Sequence, residues 1–124
     1  MRKIFITSIV IIVVVIISDF TIKKNIYNDF DYIVSVLNRI YTQEDNISKM
    51  REIDDLDTFI KSNNIIMAFY IDHEEIEKIK GQLEIIKAGI QESDNSFLYE
   101  EIKRTIFIIE HLKEKIEFNL ENIL

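Results

Sequence analysis

The only imidazoles in this 124-residue chain are His73 and His111, and each has carboxylates close by in sequence. Glu77 follows His73 by one helical turn, and Glu114 follows His111 by slightly less. If a turn is centred near residue 94, the histidines lie about 21 residues before it and about 17 after, within roughly one turn of each other in an antiparallel helix pair. His73, Glu77, His111 and Glu114 would then form a ligand set suited to zinc or iron. The competing reading is structural. Asp72 with Glu75 three residues on resembles a capping box, its carboxylate accepting from the Glu75 amide, which makes His73 a first-turn residue. His111, beside Leu112, then reads as a partly buried, hydrogen-bonded histidine. The structural reading is preferred, so no metal ligand is assigned.

Other reaction chemistry is missing from the sequence. There is no cysteine, which removes thiol catalysis, thiolate metal sites and disulfides together. No glycine-rich phosphate loop, Gly-x-Ser-x-Gly elbow or His-Glu-x-x-His pair occurs. The acidic clusters Asp54-Asp55-Asp57 and Glu100-Glu101 fall where a helical wheel places solvent, with Lys78, Lys80, Lys87 and Lys103 interleaved as on exposed helices. The expectation is therefore a protein without catalytic residues or cofactor, not an enzyme.

The elements that carry these residues begin with a membrane segment. Arg2 and Lys3 precede an uncharged run over residues 4–18, whose core, residues 9–17, is nine consecutive Ile and Val. Residues 4–22 hold one charge, Asp19, and as a helix would reach about 28 Å, close to the ~30 Å hydrocarbon core of a bilayer. A cleaved signal peptide needs small residues after its apolar run, and here Ser18-Asp19-Phe20-Thr21-Ile22-Lys23-Lys24 follows instead. An uncleaved anchor over residues 1–22 is the expectation, with a secreted soluble protein after cleavage as the alternative. A short basic tail usually stays in the cytoplasm, which would put the C-terminal domain outside the cell membrane.

Net charge is −7; Arg2 and Lys3 are the only charges before Asp19, so the rest carries −9. Such a balance argues against nucleic acid or anionic lipid as the main partner. Zero proline and two glycines leave few turn signals for a sheet, and apolar residues recur with a helical period. Three stripes are evident: Ile26, Phe30, Ile33, Leu37, Ile40; Ile76, Ile79, Leu83, Ile86, Ile90; and Leu98, Ile102, Thr105, Ile109, Leu112, Ile116. Short polar breaks at residues 42–46, 62–64 and 92–96 make successive helices antiparallel neighbours. The fold class is all-α, an N-terminal transmembrane helix followed by a small antiparallel bundle or helical hairpins over residues 23–124. The membrane helix can run directly into the first stripe, with Phe20 and Tyr27 as interfacial residues. Residues 65–71, apolar all round, read as a helix buried on most of its surface; a strand pair with residues 106–109 is the lesser alternative. Gly81 and Gly89 fall off their stripe with no evident packing reward.

Residues 71–82 (IDHEEIEKIKGQ) and 108–124 (IIEHLKEKIEFNLENIL) resemble a family of small single-anchor proteins from spore-forming Gram-positive bacteria, known only as domain of unknown function 4363. The resemblance implies a membrane-anchored helical protein and no mechanism. It favours a partner role toward another membrane protein, and the helical stripes themselves suit an interaction or accessory subunit that binds such a partner or a second copy of the chain.

Overall fold

Without proline to interrupt it, the first apolar segment and the first amphipathic stripe join into one helix. The structure, a computed structural model, describes the backbone of residues 1–123 and side chains through residue 117. Leu124, the last residue of the expected helical domain, lies outside the described residues. Four helices follow in order: α1 (Arg2–Thr42), α2 (Asn46–Met67), α3 (His73–Gln91) and α4 (Asn95–Ile123). No strand occurs among the described residues, so the alternative of paired strands at 65–71 and 106–109 is not met. α1 packs on α2 and α4, and α3 packs on the same two, giving an antiparallel ring of four.

The expected stripes line its axis. Every member of the three is buried, joined by Val36 of α1. α2 adds Ile53, Leu56, Ile60 and Met67. At 41 residues α1 is roughly 61 Å long against roughly 33 Å for the 22 residues of α2, an excess of about 28 Å. That excess is the apolar end: residues 1–18 are exposed throughout, whereas burial begins in earnest at Ile26.

Short caps set the corners. Asp45 accepts from the Ser48 amide at 2.6 Å to start α2, and Asp94 accepts from the Phe97 amide at 3.1 Å to start α4. Between α3 and α4, Ser93 takes a left-handed conformation at φ 55°, and the Asp94 amide reaches back to the Gly89 carbonyl.

Residues 62–64 do not break the chain: Ser62 Oγ and Asn63 Nδ2 both donate to the Phe59 carbonyl, and α2 continues to Met67. Residues 68–72 form the turn instead, and Ile65, Ile66 and Phe69 are exposed rather than buried. Asp72 makes no side-chain cap; its carbonyl accepts from the Glu75 and Ile76 amides. Gly89 does have a packing reason, since it is buried and an added Cβ would stand 3.0 Å from the Phe97 ring. Nothing lies within 4 Å of the same position at Gly81.

Candidate functional site

The ring places polar groups in layers along its length, each joining separate elements of the fold. At the end remote from the apolar segment, Asn46 Nδ2 donates to Ser93 Oγ at 2.6 Å and Arg39 pairs with Glu52 at 2.9 Å. Midway between α2 and α3, the buried Asp57 receives Lys61 at 3.0 Å and Lys87 at 3.3 Å. Burial opposes the Asp57 charge, but the hydrogen bonds and charges of Lys61 and Lys87 outweigh it and hold the carboxyl below its usual range. Between α3 and α4, Gln82 Nε2 donates to Glu101 at 3.2 Å and to Thr105 Oγ1 at 3.3 Å, and Thr105 donates to the Glu101 carbonyl. Asp57 and Glu101 were expected on wet faces; their long-range partners lie on neighbouring helices, which single-helix wheels do not register.

The end next to the apolar segment holds a further cluster. Tyr70, in the α2–α3 turn, donates its hydroxyl to the Asp19 carboxylate of α1. Lys23, one turn on, pairs with Asp19 at 3.0 Å and lies 5.5 Å from the centre of the Tyr70 ring. The hydroxyl bond to Asp19, helped by burial, holds the phenolic proton, and the Tyr70 pKa is pushed up to about 12. On the other side of α1, Lys113 of α4 reaches Asp31 and covers the ring of Tyr27 at 4.9 Å. Between α1 and α2, Ile22, Asn25, Asn28, Asp29, Asn63 and Ile66 line a cleft of about 320 Å³. Burial raises the Asp29 carboxyl there above its usual range.

The histidines are placed plainly. His73 opens α3 and its Nε2 lies 3.7 Å from Glu77, both largely exposed. His111 and Glu114 are exposed on α4, so the partly buried reading of His111 is corrected. Among the described residues, no group of three His, Cys, Asp or Glu side chains stands at metal-ligand spacing. Sequence reasoning missed the Asp19–Lys23–Tyr70 cluster. The one signal available was a charge at Asp19 immediately after an apolar run, with Lys23 one turn away.

These features define the class: a four-helix antiparallel bundle carried on a first helix long and apolar enough to cross a membrane. A family model described as a domain of unknown function (DUF4363) matches residues 20–123, and the chain belongs to that family. No curated protein and no solved structure matches the chain.

Proposed function

We propose that this is a single-pass membrane protein whose bundle serves as a non-enzymatic interaction or accessory subunit for a membrane partner. The N-terminal helix remains attached, the basic tail of Arg2 and Lys3 faces the cytoplasm, and residues after Lys24 lie outside a bacterial cell membrane. The observation that carries this reading is the two-part character of α1. Its first 18 residues have no protein contact to bury them, while its last turns form one wall of the bundle core. An apolar helix of this length left bare in water is disfavoured by far more than the stability of a small domain, so lipid is its natural surrounding.

Continuity of α1 supports retention over cleavage. A chain beginning at Asp19 would leave the Tyr70 and Lys23 partner at a frayed terminus. Membrane preparations dissolved in mild detergent, followed by co-purification on a tagged full chain, test the proposal. The expected result is detergent-dependent extraction with a defined membrane protein in stoichiometric amount. Recovery as a soluble chain lacking its first 18 residues would overturn it.

A further inference from the structure

We propose that the corner where α2 meets α3 is a second membrane contact, an apolar tip of Ile65 and Ile66 from the last turn of α2 and Phe69 from the connecting turn that enters the headgroup region of the same bilayer that α1 spans. This rests on the reading of residues 4–22 as the membrane span. Ile65 is 77% exposed, Phe69 78% and Ile66 49%. They cluster at one end of the bundle, next to a polar residue of the same turn that is already tied down. Scattered apolar residues on a surface call for no account, but three large ones within five residues at one corner do.

Two observations hold that corner against the end of the span. Tyr70 bonds Asp19, the residue immediately after the uncharged run, and Ile66 lines the same cleft as Ile22, the last residue of the span. Phe69 is one residue from Tyr70, so its Cα lies ~3.8 Å from that of Tyr70. The interfacial zone on each face of a bilayer is roughly 5–8 Å thick, taking ~40–45 Å overall and ~30 Å of hydrocarbon. With α1 spanning, the Tyr70–Asp19 bond holds the tip close to that zone. Apolar side chains buried to this depth are stabilised in proportion to the area they remove from water.

Lipid is chosen over a protein partner because the tip is continuous with the span and cannot move away from the surface without breaking the Tyr70–Asp19 bond. Attachment through apolar contact also suits a domain of charge −9, which anionic headgroups would repel. Two points of contact, one spanning and one dipping, fix the tilt of the bundle relative to the membrane and hence the face it offers to a partner.

The chain contains no tryptophan, so single tryptophans report position without background. The full chain is reconstituted in phosphatidylcholine vesicles carrying bromine either near the headgroup or near the chain end. Four variants are compared: Phe69→Trp and Ile65→Trp at the tip, Val13→Trp in the span, and Ile47→Trp at the far end of the bundle. The expected result is loss of most tip emission to the shallow bromines and of Val13→Trp emission to the deep ones. Ile47→Trp should be quenched only by aqueous iodide, and raising salt should change none of these. Strong iodide quenching of both tip variants, with Val13→Trp still quenched by deep bromine, would overturn the proposal while leaving the span intact. Tip emission shielded from both quenchers would overturn it in favour of a protein covering, such as a second copy. Val13→Trp untouched by bromine would remove the span and the tip together.

Discussion

Leu83→Ala should lower the stability of the bundle by about 3 kcal/mol, within the ~2.7–5 kcal/mol spread of buried Leu truncations. Leu83 is 0% exposed at the middle of α3, a helix that touches both α2 and α4. The truncation removes apolar atoms from water-free contact and leaves a void that a ring of four helices can only partly close. For a domain of about a hundred residues, each kcal/mol shifts Tm by roughly 4–8 °C, so the expected drop is about 12–24 °C. Ile85, two positions on, is 38% exposed, and Ile85→Ala should cost less than about 1 kcal/mol. Thermal melts of the full chain in mild detergent, followed by circular dichroism, compare the two variants. Equal losses at Leu83 and Ile85, or an unshifted Leu83→Ala, would refute the packing of α3.

Gly81→Ala should raise Tm, because an interior glycine costs a helix ~1 kcal/mol and no atom opposes the new Cβ, whereas Gly89→Ala should gain less, its Cβ meeting the Phe97 ring at 3.0 Å; chemical denaturation of both variants checks this. Tyr70 has its pKa raised to about 12 in the fold against about 10 unfolded, so its contribution is complete below pH ~10 and lost as pH climbs toward 12. Tyr70→Phe should remove that part of the alkaline loss, measured as Tm against pH. His73→Ala should change stability by less than about 1 kcal/mol, and added zinc, iron or manganese should leave Tm unmoved in the unaltered chain. A stoichiometric metal lost in both His73→Ala and His111→Ala would reverse that expectation.

The helices whose burial follows a strict period were legible in the sequence: each stripe residue of α1, α3 and α4 lies in the core. α2 was not, because its core face is thin and shares space with Lys49 and Asp57, charged residues that are buried through partners on α3 and α4. The turn was misplaced since Ser62 and Asn63 look like a break but bond back into their own helix. Tyr70 and Asp19 stand 51 residues apart, and their meeting depends on the antiparallel return of α2, which no local pattern encodes. The exposure of both histidines was not legible in the sequence, because the direction each faces depends on helix rotation.

Because the chain lacks cysteine, single-cysteine variants test the spanning of α1 directly. Val13→Cys and Ile47→Cys are exposed to a membrane-impermeant maleimide in cells stripped of their wall, then again after denaturing solubilisation, with intact mass recorded. If α1 spans, Ile47→Cys labels on the intact cells, Val13→Cys labels only after solubilisation, and both chains retain their first 22 residues. Labelling of Val13→Cys on intact cells, or a chain that starts near Asp19, would contradict it.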